Sequence, residues 1–331
     1  MTEPVVSVII PVFNTQPWLA PCIESIKRQN FEDLEIICID DGSTDGSLAA
    51  LNELAGADDR IIVKTQENHG PGYTRNRAID MASGKYILFL DSDDMLADGF
   101  IDQLVRTAET DDTDMICFDL VPFYESNELE KKLTELSRHH RFDYPGITDG
   151  RELFAQMQKN DDYFSEGCLG FFRKSWLDEK RIRFPEGIFM EDALFTFLCF
   201  FFSRNCRYLN VPGYLRRLRE GSTVTKKLSL IHVLGYYRTA GIMEALCYEN
   251  QESLEDYPEF FAYILKRRVS AYYIYRNNRD AIRSQARTNY EKMMLDDLDN
   301  YGSRAELDAV YNSVSWKLGN LMVRPFHWLK K

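Results

Sequence analysis

Four polar residues follow an apolar stretch in the first third of the chain. The sequence KYILFLDSDD places Asp91, Ser92, Asp93 and Asp94 directly after Lys85–Leu90. A continuous apolar run is typical of a strand buried in a parallel sheet, and open α/β sheets bind ligands at the carboxyl ends of their strands. Neighbouring carboxylates repel one another unless a cation is present, and Mg²⁺ favours carboxylates together with substrate phosphates. The stretch is a candidate metal–diphosphate site, or else a solvated acidic turn or helix N-cap.

A second acidic turn, Asp41–Asp45, follows the apolar run Leu34–Asp40. Its oxygen-bearing side chains approach the spacing of a calcium-binding EF-hand loop. However, the twelfth position is Asn52 rather than glutamate, and the preceding element is a strand rather than a helix. We therefore exclude an EF-hand. We interpret Asp41 as a carboxylate that faces a ligand, and the rest of the turn as a helix cap.

The elements that position these turns alternate between strands and helices, which predicts parallel βαβ units with right-handed crossovers. Apolar runs predict strands at Val5–Pro11, Leu34–Asp40, Ile61–Thr65, Lys85–Leu90 and Met115–Asp119. Periodic segments predict helices at Trp18–Gln29, Gly46–Leu54, Tyr73–Met81 and Gly99–Glu109. Further on, polar Pro122–Pro145 predicts a loop or mobile insertion, Gly167–Arg173 and Arg207–Val211 predict strands, and the chain from Leu228 onward predicts helices.

Composition excludes several classes of protein. The formal net charge of −12 argues against nucleic-acid binding. Neither a GxGxxG fingerprint after the first strand nor a Walker A sequence is present, which argues against dinucleotide binding and P-loop chemistry. No signal-peptide pattern opens the chain and no apolar stretch is long enough to span a membrane. Seven cysteines without a CxxC pair favour buried, reduced thiols, so we expect a cytosolic protein.

Four segments resemble the motifs of bacterial family 2 glycosyltransferases, in the family's order and spacing. They are Val5–Asn14, Ile39–Asp45, Asn68–Asn76 and Gly84–Asp94. The resemblance implies an α/β glycosyltransferase A (GT-A) fold. In that fold a mostly parallel nucleotide-sugar-binding sheet is flanked by helices, here with a C-terminal helical region. It also implies a nucleotide-diphosphate sugar donor and inversion at the anomeric carbon.

Carried over residue by residue, the resemblance implies a set of donor contacts. Asp91 and Asp93 match the family's D-x-D motif. Asp93 would ligate Mn²⁺ or Mg²⁺, and Asp91 would contact the ribose or the ion, with Asp94 behind them or capping the next helix. The ion would neutralise the departing diphosphate as a Lewis acid. Asp41 would accept a hydrogen bond from uracil. The other nucleotide contacts would be Pro11, Phe13, Asn68, Arg75 and Ser92.

The resemblance also implies a catalytic base. Glu191 and Asp192 precede the apolar run Ala193–Phe202 and match the family's Glu-Asp pair at a helix start. An inverting transfer needs a carboxylate that takes the proton of the acceptor hydroxyl, as inverting glycosidases do with water. We assign Asp192 as the base and Glu191 as a supporting or acceptor-binding group. The alternative is that both acids complement the positive end of the helix.

An arginine-rich segment, Tyr214–Thr223, resembles the family segment that closes over the diphosphate. Arg217, Arg219 and Ser222 would contact phosphate oxygens, since the arginine fork can bind phosphate through two hydrogen bonds. Arg216 competes for the same role. The alternative is a basic, solvated loop.

The C-terminal segment Ser313–Lys331 interleaves tryptophan, phenylalanine and leucine with lysine and arginine. This pattern predicts either peripheral contact with the inner face of the cytoplasmic membrane or a helix docked on the protein body. Lys266–Arg268 and the tyrosines near it could belong to the same surface or to a homo-oligomer interface, although a tyrosine stripe on a helix is more often core.

Together these observations predict a metal-dependent inverting glycosyltransferase. It would move a hexose or N-acetylhexosamine from a UDP-sugar to a cell-surface glycan or a lipid-linked saccharide. Residues 1–120 would bind the donor, 121–225 would supply the acceptor site and base, and 226–331 would form the helical region. The alternatives are a non-catalytic nucleotide-sugar or glycan-binding subunit and, disfavoured by the missing glycine-rich loop, a sugar-nucleotide pyrophosphorylase.

Overall fold

The computed structural model describes residues 3–126, 128, 142–219, 228–250 and 256–301. The chain divides into two compact units. The first, here the sheet unit, comprises Met1–Gln156, Asp162–Gly187 and Glu191–Lys226. The second, here the helical unit, comprises Met157–Asp161, Ile188–Met190 and Lys227–Lys331.

The described residues of the sheet unit form eight strands: β1 Val6–Val12, β2 Leu34–Asp40, β3 Ile61–Thr65, β4 Tyr86–Phe89, β5 Met95–Leu96, β6 Met115–Tyr124, β7 Gly170–Arg173 and β8 Cys206–Leu218. Their order in the sheet is β3-β2-β1-β4-β7-β6-β8-β5. The pairs among β1 to β4 and the pair β6–β8 are parallel, whereas β7 and β5 pair antiparallel with their neighbours. The predicted α/β fold is confirmed, with a mixed sheet.

The first four strands occupy the places that their apolar runs predict. Every residue of β2 and β4 is buried, as is all of β1 except Pro11. Strands of this kind are covered on both faces, and helices cover parallel sheets in this way. The described helices from the first 202 residues are α1 Gln16–Lys27, α2 Ser47–Ala55, α3 Pro71–Met81, α4 Phe100–Asp111, α5 Gly150–Lys159, α6 Lys174–Glu179 and α7 Glu191–Phe202.

Strand β8 differs from the prediction. We expected a strand only over Arg207–Val211, but the strand runs from Cys206 to Leu218 and includes the first part of the arginine-rich segment. It pairs with β6 across a register shift near Asp119, which brings Leu120 opposite Tyr214 and Tyr124 opposite Leu218. The pairing partner comes from residues that the sequence places in a polar loop, so no local pattern could reveal the longer strand.

The helical unit contains α8 Leu230–Glu249, α9 Glu259–Asn277, α10 Arg279–Arg283 and α11 Asn289–Tyr301. Its core consists of Leu230, Val233, Ala271, Ile274, Tyr275, Ile282, Leu295 and Leu298. Among the helices described, none is both long and apolar enough to cross a bilayer. The seven cysteines are free and buried, as their apolar surroundings predict. The predicted membrane-contact segment, Ser313–Lys331, lies outside the described residues.

Candidate active site

The acidic turn after β4 is tied to two neighbouring elements. The Tyr214 hydroxyl donates to Asp94 Oδ2 and the Arg217 backbone N–H donates to Asp94 Oδ1, both at 2.7 Å. The Thr15 hydroxyl donates to Ser92 Oγ at 2.8 Å. Burial, together with the charges of Asp91 and Asp93, raises the pKa of Asp94 well above its usual value. Asp94 therefore anchors the turn to β8 instead of capping the next helix.

Each carboxylate of the D-x-D motif is paired with an arginine. Arg75 Nη2 lies 3.0 Å from Asp91 Oδ1, and Arg219 Nε lies 2.8 Å from Asp93 Oδ2. No group of three or more His, Cys, Asp or Glu side chains in the described parts of the chain could hold a metal ion. Two hard oxygen donors fit Mg²⁺ or Mn²⁺ only when substrate phosphates and water complete the coordination, which is the usual arrangement for Mg²⁺.

Arg75 joins this turn to the predicted base. The residue is 5% exposed, and its Nη1 lies 3.2 Å from Glu191 Oε1 and 3.4 Å from Asp192 Oδ1. It also lies over the Phe184 ring, 5.2 Å from the centroid. One buried cation thus holds three carboxylates from two distant parts of the chain. The structure brings Asp91, Glu191 and Asp192 together, and the place of Arg75 along the nucleotide stays a prediction.

The surroundings of Asp192 alter its acidity. Partial burial is the largest cause, and it raises the pKa of this carboxyl to about 7 against the opposing charge of Arg75. The neighbouring carboxylates of Glu191, Asp91 and Glu166 add to the rise. The side chain remains 32% exposed. A group that titrates near neutral pH and is still accessible suits a general base.

Asp41 lies at the end of β2 and is 3% exposed. Its Oδ1 accepts from the Gln66 side chain at 2.8 Å and from the His69 backbone N–H at 2.9 Å, and its Oδ2 accepts from the Gly70 N–H at 2.8 Å. A carboxylate has about four acceptor positions, and these three bonds use most of them. The contact of Asp41 with uracil stays a prediction. The Asn68 side chain donates to the Asp41 carbonyl oxygen at 3.0 Å and so supports this loop instead of reaching outward.

The carboxyl end of β1 contributes the two apolar candidates. Pro11 is half-buried within the strand, and Phe13 follows the strand with 48% of its surface exposed. Asn14 comes next in the left-handed conformation, with φ 53°, and its Oδ1 accepts from the Thr44 N–H at 2.8 Å. That bond ties the end of β1 to the turn after β2. The two segments predicted to bind the nucleobase therefore lie together.

Two of the three candidate arginines reach the acidic turn. Arg217 Nε donates to the Asp93 carbonyl oxygen at 2.8 Å, and its guanidinium lies over Phe123. Arg219, bonded to Asp93, lies over Trp18 at 4.1 Å from the ring centroid. Arg216 points elsewhere and pairs with Glu166 at 2.5 Å. Ser222 lies outside the described residues.

Sequence reasoning missed two residues that adjoin Asp192, the predicted base. A Cβ atom built on Gly167 would lie 2.9 Å from Asp192 Oδ1 and 3.0 Å from the Phe184 ring. Glu166, next to it, pairs with Arg216 and contributes to the pKa of Asp192. Neither residue belongs to a motif, and only the absence of a side chain at position 167 could have signalled a close approach.

With Asp192 as the base in the UDP-sugar transfer that the family resemblance implies, Gly167→Ala should lower the rate of transfer by about 10-fold or more. A Cβ atom 2.9 Å from Asp192 Oδ1 would displace that carboxyl, and small displacements of a catalytic group are costly. The measurement is kcat for UDP release together with the Kd of UDP, which should not change. Gly56→Ala is the control, since its added methyl would meet its neighbours at ordinary distances of 3.4 Å or more. Wild-type turnover in a folded Gly167→Ala variant would contradict the contact's importance.

The mixed sheet, with acidic turns at the carboxyl ends of its strands, defines an α/β protein of the GT-A class. The crystal structure of TarS 1-349 from S. aureus in complex with UDP-GlcNAc has the same fold. It aligns with a TM-score of 0.64 at 18% identity, over 98% of this chain and 92% of that one. At this identity the likeness shows the fold alone.

The sequence comparisons narrow the class to a family. A family model described as Glycosyl transferase family 2 matches residues 7–179. The relative named "Putative glycosyltransferase EpsH", from Bacillus subtilis (strain 168), is 32% identical over 68% of this chain, and this chain spans 64% of that relative's length. A second relative is the GalNAc(5)-diNAcBac-PP-undecaprenol beta-1,3-glucosyltransferase of Campylobacter jejuni subsp. jejuni serotype O:2. It is 31% identical, over 73% of this chain and 74% of its own length. The chain belongs to glycosyl transferase family 2.

Proposed function

We propose that the protein is a metal-dependent inverting glycosyltransferase. In this proposal it moves a hexose or N-acetylhexosamine from a UDP-sugar to a cell-surface glycan or a lipid-linked saccharide. The observation that carries the proposal is the position of Arg75. Its guanidinium holds Asp91 of the donor turn and Asp192 of the acceptor side within 3.4 Å of one cation. A transferase needs both functions at one centre.

Residues 1–120 bind the donor in this scheme. Asp41 accepts from the uracil imide, Pro11 and Phe13 line the nucleoside pocket, and Arg217 and Arg219 turn to the diphosphate. Asp91 and Asp93 hold Mn²⁺ or Mg²⁺, which when bound supplies Lewis-acid charge for the departing UDP. Since Arg219 already neutralises Asp93 at 2.8 Å, its guanidinium is close enough to pass to a phosphate oxygen.

Residues 121–225 supply the acceptor side. The Asp192 carboxylate takes the proton of the acceptor hydroxyl as that oxygen bonds to the anomeric carbon. The bond from the same carbon to the UDP oxygen breaks with its electron pair, so the sugar inverts and UDP leaves. Glu191 shares Arg75 with Asp192, which keeps the pair oriented while Asp192 alone transfers the proton.

The comparisons support the chemical classes in the proposal. The TarS structure holds UDP-GlcNAc, and the Campylobacter relative is named for a saccharide on undecaprenyl diphosphate. A lipid-linked acceptor would place the protein at the inner face of the cytoplasmic membrane, in contact through Ser313–Lys331. The net charge of −12 supports the absence of nucleic-acid partners. In the same proposal, the helical region 226–331 also provides the contact through which copies of the chain form a homo-oligomer.

A donor screen tests the function. Purified protein is incubated with UDP-glucose, UDP-GlcNAc, UDP-galactose, GDP-mannose and dTDP-glucose with Mn²⁺, and release of the nucleoside diphosphate is followed. We expect release from a UDP-sugar and its loss with EDTA. Tight UDP binding without release over a broad acceptor panel would favour a non-catalytic binding subunit. Release of pyrophosphate from a nucleoside triphosphate and a sugar phosphate would favour a pyrophosphorylase.

A further inference from the structure

Three residues directly before the predicted base, Ile188–Met190, are grouped with the helical unit, whereas Gly187 and Glu191 on either side of them belong to the sheet unit. Met190 has a φ of 68°, in the left-handed region that residues with a side chain rarely adopt. Such a conformation persists only where surrounding contacts impose it. The contacts that hold this segment therefore bear on how the chain enters helix α7.

The first contact is made by a glycine of α8. A Cβ atom built on Gly235 would lie 2.4 Å from the Phe189 carbonyl oxygen and 3.1 Å from its carbonyl carbon. The backbone of the segment thus lies directly against the helix, where only glycine leaves room. The Phe189 ring also packs against the His232 ring, one turn earlier in α8, with a centroid distance of 4.5 Å.

The second contact comes from α9. The Arg267 guanidinium is buried and donates twice to Thr239 Oγ1, at 3.1 Å from Nε and 2.8 Å from Nη2. It stacks on Tyr236 at 4.9 Å from the ring centroid. These contacts fix the arginine, and its Nη2 lies 3.9 Å from Met190 Sδ. The Met190 side chain therefore contacts an arginine whose position is fixed by its bonds to Thr239.

We propose that this helical clamp, formed by His232, Gly235 and Arg267, positions the catalytic base. The clamp holds Phe189 and Met190, and the next residues in the chain are Glu191 and Asp192. None of the clamp residues touches substrate in this proposal, so they are positioning residues that act through the backbone. The inference rests on the proposed function, in which Asp192 takes the acceptor proton.

The test compares two alanine substitutions on the same helix. Gly235→Ala places a methyl group against the Phe189 carbonyl, whereas Gly241→Ala meets no atom within 4 Å. We expect Gly235→Ala to lower kcat by about 10- to 100-fold, because small displacements of a catalytic group cost this much. The donor KM and the Kd of UDP should stay within about twofold, since the donor contacts lie elsewhere. Gly241→Ala should behave as wild type in all three.

Hydrogen exchange gives a readout that does not need turnover. Amides of residues 188–194 should exchange faster in Gly235→Ala than in Gly241→Ala, because loss of the clamp frees the entry to α7. If Gly235→Ala does not fold, Phe189→Ala carries the test, since it removes the ring from His232 and should lower kcat with the donor KM retained. A lower kcat in the folded Phe189→Ala variant, with the donor KM retained, supports the clamp.

Equal kcat and equal exchange in the folded Gly235→Ala and Gly241→Ala variants would overturn the clamp and leave the glycosyltransferase proposal standing. If Phe189→Ala carries the test, wild-type kcat in that variant would overturn the clamp. If the wild-type protein releases no UDP from any donor, the proposed function fails. The exchange comparison then still shows whether the helical unit holds the segment before Glu191.

Discussion

Asp192→Asn is expected to reduce sugar transfer by about 10²- to 10⁴-fold while UDP binding is retained, because a positioned general base contributes a factor of this size. Asparagine has the size of aspartate and can still accept from Arg75, so the packing around Gly167 and Phe184 should persist. What is lost is the group that takes the proton. The measurements are kcat for UDP release with acceptor and the Kd of UDP by calorimetry.

The pH profile supplies a second signature of the same residue. Asp192 must be ionised to act as a base, and its carboxyl titrates at a pKa of about 7. The rate should therefore be low at pH 5, rise tenfold per unit below the pKa and level off above about pH 8. The residual rate of Asp192→Asn should lack this rise. Glu191→Gln is the comparison, since it keeps Asp192 and should retain a rise with pH.

Two results would contradict the assignment of Asp192. One is Asp192→Asn turnover within a few-fold of wild type. The other is a Glu191→Gln variant that loses both activity and the pH-dependent rise while Asp192→Asn keeps them, which would exchange the two roles.

Asp93→Ala should abolish the dependence of donor binding on Mn²⁺ and lower transfer by about 10²-fold or more, because charge stabilisation by a metal ion amounts to several kcal/mol at a transition state. The variant removes one of the two proposed oxygen ligands and leaves Asp91 paired with Arg75. Titration of UDP with and without Mn²⁺ measures the coupling directly. In the wild type, metal should tighten UDP binding, and in the variant the two isotherms should coincide.

Asp98→Ala is the matched control for this experiment. Asp98 follows five residues later, its side chain is 75% exposed, and it pairs only with the surface residue Arg28 among the contacts of the described chain. Exposed pairs of this kind contribute little to stability. The control should therefore bind UDP and metal as the wild type does. Tight UDP binding that is indifferent to metal and to Asp93 would refute the metal assignment.

The GT-A class and the two acidic turns were predictable from sequence because their signals are local. A strand buried on both faces is mostly apolar, so Val6–Val12, Leu34–Asp40 and Tyr86–Phe89 appear as mostly apolar runs, and acidic turns follow the last two closely. The motif positions then follow from strand ends, and the Glu-Asp pair from the start of an apolar helix. Each acidic turn is visible within a single short segment, whereas the GT-A class rests on four such segments in the family's order and spacing. None of these inferences requires knowledge of what packs against the segments.

The tertiary structure alone decided how these pieces meet. Arg75 binds Asp91 and Asp192, which lie about a hundred residues apart, and nothing in the residues around Arg75 predicts that pairing. Strand β8 extends through the arginines because β6 offers a partner, and strand pairing depends on the neighbour as much as on the strand itself. Gly167 and Gly235 matter through the atoms that approach them from distant segments. The sequence by itself determined which carboxylates and arginines are present and at which strand ends the acidic turns lie. Long-range packing determined the distances between them, because those distances depend on contacts that no local pattern encodes.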